Sequence, residues 1–579
     1  MFKIIKGNNV LSHFKGFWCS QKNFYGLHKI LQISVKPQES SSIESSKREP
    51  VTVGITPTNA PISGEIFPTT STRVVPMLLA KREPVVLPFD EVPGPASLKF
   101  LARTRYYLSE VGTQLTAGAL TLGLNIGAYI SNRKPTRLLS SLFDEYGPIV
   151  RFVSPIGGDI VLINHPEHIQ KVFSMEGDRP VRSALDSLDK YRKLHRNTIL
   201  GGLYNLQGED WHRHRAIVTE PLKNAIAKHM DGLDEISENF VKKMYNSRDY
   251  HDELTKDLYK EIHKWTFDCM GLLIFSKKFS MLSTDVVYSQ CDMSWLYHSL
   301  EKSTEALLKC ESGLQMWKLL PTPSWNSLVK NCDSLDNLIG KQVMESEQQL
   351  TYADKCEDIK NLSMINALLV SDDRMTPENV ATIVMDMLLI GVNTITSSMS
   401  FLLYYLAKHQ KVQKTLSQDI DRLTDKYFQN MEKVKEETPY LQACIKETLR
   451  LTPPIPVLTR ILPKNITLDS YNIPRDTLII MSTQDASLKE SNFDDANKFC
   501  PERWLTSDAS DYHAFASIPF GFGVRRCLGQ NIAETLMTIL LTKTLQRFKL
   551  EYHYGDIQPT RTFIVKPNKQ LKIRFIDRM

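Results

Sequence analysis

The run from Thr376 to His409 constrains the fold more than any other part of the chain. It opens with Thr376-Pro377-Glu378, a hydroxyl N-cap followed by proline at the first helical position. At 1.5 Å rise per residue a helix over this run is about 45–50 Å long, enough to cross a large domain. It is apolar almost all round, so it must be buried on every side, which requires a shell of other helices. From about residue 135 onward the pattern is mainly helical. Short alternating pieces suited to strands occur near Ile149–Phe152, Asp159–Ile163, Asn465–Leu468 and Leu478–Met481, with others toward the C-terminus. The expected fold is one large, mainly α domain with small β-sheets.

The charge distribution separates the front of the chain from that domain. Lys and Arg number 71 and Asp and Glu 65, a net charge of +6. Residues 1–38 hold Lys3, Lys6, Lys15, Lys22, Lys29 and Lys36 and no acid, so they account for the whole excess (71 − 65 = 6). A nucleic-acid binder would spread its positive charge over a folded surface, so that function is excluded. An acid-free, lysine- and serine-containing leader with Phe14, Phe17, Trp18 and Phe24 reads as a mitochondrial transit peptide over 1–38. Residues 39–92, rich in Ser, Thr and Pro, read as a linker. The turn Val92-Pro93-Gly94-Pro95 opens the ordered domain, 93–579. Within it, the stretch 111–130 is apolar but carries Gln114 and Asn125, and reads as an interfacial or packed helix. The nine cysteines form no Cys-x-x-Cys pair, which fits a reducing compartment and speaks against a zinc site or a disulfide framework.

Chemistry concentrates in Phe520-Gly-Phe-Gly-Val-Arg-Arg-Cys-Leu-Gly529, just before the helical pattern 531–541. A cysteine in a glycine-rich loop at a helix N-terminus has its thiolate favoured by backbone N–H groups and the helix dipole. The glycines let the backbone approach something flat and bulky, and Arg525 offers a fork for a carboxylate. Together these features describe Cys527 as a thiolate ligand to haem iron, with Arg525 on a propionate. The segment resembles the cytochrome P-450 family, whose signature Phe-x-x-Gly-x-Arg-x-Cys-x-Gly is matched at Phe520, Gly523, Arg525, Cys527 and Gly529.

Further motifs follow in that family's order. The resemblance implies a single cytochrome P-450 haem domain that binds haem b through Cys527 and braces it with a buried network of Glu447, Arg450 and Arg503. Trp211 and Arg215, from Trp-x-x-x-Arg, and Arg460, after the proline turn 453–456, are its further propionate partners. On the long helix, Gly391 and Thr394 match the oxygen-activation segment: glycine makes room for dioxygen, and the Thr394 hydroxyl bonds the oxygen or holds a water that does. Ile390, Asn393 and Ile395 depart from the pattern. Asparagine cannot release and recapture a proton, so Asn393 in the acid's place implies weaker proton control, with water or another acid supplying the proton. Asp386, two turns earlier, is the nearest acid on that helix.

The implied reaction is monooxygenation: two NADPH-derived electrons and O₂ are consumed, one oxygen leaves as water and the other enters a C–H bond. The leader, with the pattern Leu441-Gln-Ala-Cys-Ile-Lys-Glu-Thr-Leu-Arg450, implies the mitochondrial branch. That branch takes electrons from an adrenodoxin-like [2Fe–2S] ferredoxin and its reductase. Lys446 is then a docking residue and Arg526 its companion, replacing arginines that family members carry at the positions of Gln530 and Asn531. The segment 316–325 falls where relatives dip a loop into the inner membrane from the matrix side. Gly201-Gly202-Leu203 and Ser400–Tyr405 are similar to arthropod mitochondrial members, which favours a steroid such as an ecdysteroid precursor, or another lipophile. Detoxification of foreign compounds is the alternative within the family. A non-hydroxylating haem-thiolate protein, an isomerase or haem-binding sensor, is the alternative outside that activity.

Overall fold

The computed structural model describes residues 86–96, 99, 138–153, 159–197, 201–282, 291–312, 315–318, 320–352, 362–372, 375–423, 431–505, 511–560 and 562–578. The leader 1–38, most of the linker 39–92 and the stretch 111–130 lie outside the described residues. All described residues fall in one compact unit, Lys81–Met579.

The helices that build the site are labelled α1 (Pro166–Ser174), α2 (Gly208–Lys228), α3 (Leu258–Phe275), α4 (Cys291–Glu311), α5 (Pro323–Tyr352), α6 (Pro377–Lys408), α7 (Pro439–Leu451) and α8 (Gln530–Arg547). The apolar run Thr376–His409 contains α6. The Thr376 hydroxyl caps it by accepting from Asn379 N, and most of its length is buried among α3, α5, α7 and α8. By length and composition α6 could cross a membrane, yet here it is the axis of the protein core.

Its hydrogen-bond ladder is not uniform. Residues Pro377–Asp386 and Asn393–Lys408 are α-helical, but Met387–Val392 form a wider π-type turn. Such a turn inserts an extra residue and loosens the backbone locally. It coincides with Gly391.

A four-stranded sheet, β1 (Ile149–Val153), β2 (Asp159–Ile163), β3 (Leu458–Ile461) and β6 (Leu478–Met481), flanks the helical core in the order β1-β2-β6-β3. β2 and β6 run parallel, with Ile160 opposite Leu478, and the other pairs are antiparallel. Among the described residues there are two further antiparallel pairs: β4 (Ile466–Leu468) with β5 (Tyr471–Ile473), and β7 (Phe548–Glu551) with β8 (Arg574–Asp577). The apolar faces of the four-stranded sheet and of β4–β5 form a second cluster around Val161, Ile163, Ile479 and Met481, with Ile169, Val172 and Phe173 of α1, whereas Phe548, Leu550 and Phe575 of β7–β8 join the main helical core.

Candidate active site

The loop 518–529 is folded by three short backbone bonds. Gly521 N donates to Ile518 O, Arg526 N to Gly523 O, and Cys527 N to Phe520 O, at 2.9, 3.0 and 2.9 Å. Gly521 and Gly523 both adopt φ of +72°, which a side chain disfavours. The Gly529 N–H donates to Cys527 Sγ at the start of α8. Burial pushes the Cys527 thiol above its ordinary pKa, while that N–H and the charges of Arg215, Arg182 and Arg526 pull it down. The sulfur is nevertheless accessible.

Four arginines converge near this loop. Arg525 is buried; it donates to Leu206 O and lies 4.3 Å from the centre of the Trp211 ring. Arg215 sits on the same ring at 5.7 Å. Arg182 covers Tyr204 at 3.9 Å and donates to its carbonyl. Arg460, on β3, bonds Glu176 through Nε and Thr459 O through Nη1. Among the described residues, Glu176 is the one carboxylate paired with any of the four. Desolvation, with repulsion from Arg182 and Arg460, lowers the Arg525 pKa to about 8. Its Nε and Nη1, like Arg182 Nε, have no partner among the described residues. Buried guanidinium groups without acceptors are costly, so this cluster is built to receive carboxylates.

A further group of candidate residues lies on α6. Met387, Ile390, Gly391 and Thr394 are its partly accessible residues in a region that is otherwise buried, and their spacing puts them on one face. The Thr394 hydroxyl is 3.3 Å from Gly391 O, within the π-type turn. Asn393 is on a different face. Its Nδ2 donates to Thr304 Oγ1 of α4 and to Leu389 O, both at 2.9 Å, and the amide also bonds His263 of α3. His263 in turn lies 3.1 Å from the Tyr297 hydroxyl, and burial lowers its pKa to about 4. Asp386 is engaged too: its carboxylate pairs with Arg192 at 2.6 Å and accepts from Tyr204 N at 2.8 Å.

Behind the loop, Glu447 accepts Arg450 (2.7 and 2.9 Å), Arg503 (3.1 Å) and Trp504 Nε1 (2.9 Å). Arg450 also donates to the carbonyls of Ser487, Ala496 and Lys498. The three charged residues singled out in the sequence are thus brought together, with Trp504 added. Lys446 and Arg526 are exposed; Arg526 bonds Gln530, which bonds Glu534, and Lys435 reaches both Asn531 and Glu534. Gln442 is turned toward Thr538 of α8. Sequence reasoning missed Arg182 and Glu176. Their only signal is charge flanking the turn Gly177–Pro180, with no motif of its own.

A thiol that closes a glycine loop at a helix N-terminus, with unpartnered buried arginines beside it, is the arrangement expected of the haem-thiolate oxygenases. The sequence model of the family described as Cytochrome P450 matches residues 118–575. The chain is 27% identical over 500 residues to "Probable cytochrome P450 301a1, mitochondrial" of Drosophila melanogaster, covering 84% of this chain and 87% of the relative. It is 27% identical over 472 residues to "Cytochrome P450 CYP12A2" of Musca domestica (78% and 88% covered). It is also 28% identical over 456 residues to "1,25-dihydroxyvitamin D(3) 24-hydroxylase, mitochondrial" of Mus musculus (77% and 85% covered). The chain belongs to the cytochrome P450 family and is a monooxygenase. The expectation of a single mainly α haem domain holds, and the cofactor is haem with a cysteine thiolate ligand.

Proposed function

We propose that this enzyme hydroxylates a lipophilic substrate of steroid type in mitochondria, on the matrix side of the inner membrane, with electrons from a [2Fe–2S] ferredoxin. The observation that carries the haem site is Arg525, buried beside Arg182 and Arg215 with two nitrogens that lack acceptors among the described residues. Two propionates are what such a cluster lacks. In this reading Cys527 holds the iron, Gly529 N–H and the α8 terminus steady the sulfur, and Arg182, Arg215, Arg525 and Trp211 hold the propionates. Haem, when bound, supplies oxygen activation and insertion into a C–H bond.

The chain's own contribution is positional. Ile390 and Gly391 shape the space where substrate and oxygen meet, and Thr394 holds a water or proton at its Oγ1. Asn393, committed to α3 and α4, positions the turn rather than carrying protons. Asp386 is held by Arg192 and Tyr204, so proton delivery runs through ordered water at Thr394.

Mitochondrial placement rests on the lysine-rich leader and on relatives whose names place them there. Peripheral membrane contact is supported by the segment 316–325. Trp317 and Trp325 stack at 5.4 Å inside it, while Met316 and Leu320 are exposed. The steroid preference rests on the vitamin D hydroxylase similarity.

The test has two stages. Reduced protein with CO must show the red-shifted Soret band of thiolate ligation, and Cys527→Ser must lose it. NADPH consumption with ferredoxin and its reductase, screened against sterols, must then yield hydroxylated product. Turnover of varied foreign compounds with none of the sterols would reject the steroid reading.

A further inference from the structure

Gly523 is pinned by two constraints. Its φ is +72°, and a Cβ there would lie 2.3 Å from Glu176 Oε1. Glu176 is therefore packed directly against the Cys527 loop. It follows α1 by two residues, is 6% exposed, and its other oxygen bonds Arg460 Nε. Phe173 of α1 lies 4.8 Å from the same guanidinium and holds it from the apolar side.

A buried carboxylate among arginines has two consequences. It holds Arg460 through Nε, while Nη1 donates to Thr459 O. It also places a fixed negative charge in a low-dielectric region, where it acts on any neighbouring charge change. We propose that Glu176 is a positioning residue that sets the reduction potential of the haem site, by holding Arg460 and a negative charge against the Cys527 loop. This rests on the haem reading above. Reduction of the iron adds one negative charge, so a nearby carboxylate disfavours the ferrous form, and removing it favours reduction.

The experiment compares the holoenzyme with Glu176→Gln, Glu176→Ser and Glu176→Asp. Haem content, the CO band and the midpoint potential by spectroelectrochemistry are measured for each. The neutral variants are expected to keep the thiolate band and raise the ferrous-to-ferric ratio at fixed potential about tenfold, which for one electron is about 59 mV. Glu176→Asp is expected to stay near wild type. Loss of haem from both neutral variants with retention in Glu176→Asp overturns the assignment, because the carboxylate is then needed to hold the haem rather than to set its potential. Loss of haem from all three overturns it. So does a Glu176→Gln potential equal to wild type, or an equal shift in Glu176→Asp, which would make shape the determinant. If wild-type protein shows no thiolate band, it is the haem reading that fails instead.

Discussion

At the scale of single residues, Asn393 shows what a substitution within a shared motif can mean. The sequence places an amide where the family has an acid, which suggests a deficit in proton delivery. The structure gives the amide three bonds: it donates to Thr304 and Leu389 O and joins neutral His263. An acid at 393 would face Leu389 O with no proton to donate and would draw a proton onto His263. Asn393→Asp is therefore expected to cost about 1–3 kcal/mol of stability, read as a lower Tm, without improving coupling. A fall in peroxide released per NADPH would instead restore the proton-relay reading of this position. His263 itself gives a pH signature. Its folded pKa, about 4, lies below its unfolded value, so the unfolded chain binds more protons between those two values. Its contribution is complete above the unfolded pKa of about 6.5 and is lost as pH falls toward 4, roughly 3 kcal/mol in all. Urea unfolding across pH 4–7 should show a shallower slope in His263→Gln than in wild type.

At the scale of elements, most of the fold was legible because periodicity and caps are local. The strands 159–163 and 478–481 coincide with their sequence pieces, and Thr376-Pro377 starts α6 as its capping chemistry requires. The π-type turn was not legible, since a shift from i+4 to i+5 bonding leaves no pattern beyond Gly391. Arg182 and Glu176 were missed for a different reason: Glu176 meets Arg460 across 284 residues of chain, and nothing local announces the pair. The turn makes its own prediction. A Cβ at Gly391 meets only Met270 Cε, at 3.3 Å, the mobile end of a flexible side chain. Gly391→Ala should therefore fold with unchanged or slightly raised Tm, as helix propensity favours alanine by up to about 1 kcal/mol. Product per NADPH should fall, because the methyl enters the accessible face beside Thr394. The network joining α7 to the segment before the haem loop behaves oppositely. Glu447→Ala leaves Arg450 and Arg503 buried without their anion and should cost about 3–5 kcal/mol, seen as loss of soluble, haem-loaded protein.

At the scale of the whole molecule, the charge count separates the front of the chain from the rest. The six lysines of residues 1–38 equal the net +6, so residues 39–579 balance at 65 basic (71 − 6) and 65 acidic side chains and offer no global field to draw in an acidic partner. Attraction must come from a local patch. The two candidates on it are not equivalent. Arg526 is drawn into the chain of Gln530 and Glu534, and Lys435 is committed to Glu534 and Asn531. Lys446 stands exposed on α7 with no ion pair among the described residues. Arg526 therefore gives up an internal bond when it meets a carboxylate, whereas Lys446 gives up only water. Lys446→Ala is expected to raise the KM for ferredoxin more than Arg526→Ala, by several-fold at low ionic strength. The difference should shrink as salt screens it. Glu534→Gln releases both Lys435 and the Gln530–Arg526 chain, so it should lower that KM. Ferredoxin titrations of the three variants at two salt concentrations decide the matter, and equal KM values throughout would place the electron entry site on another face.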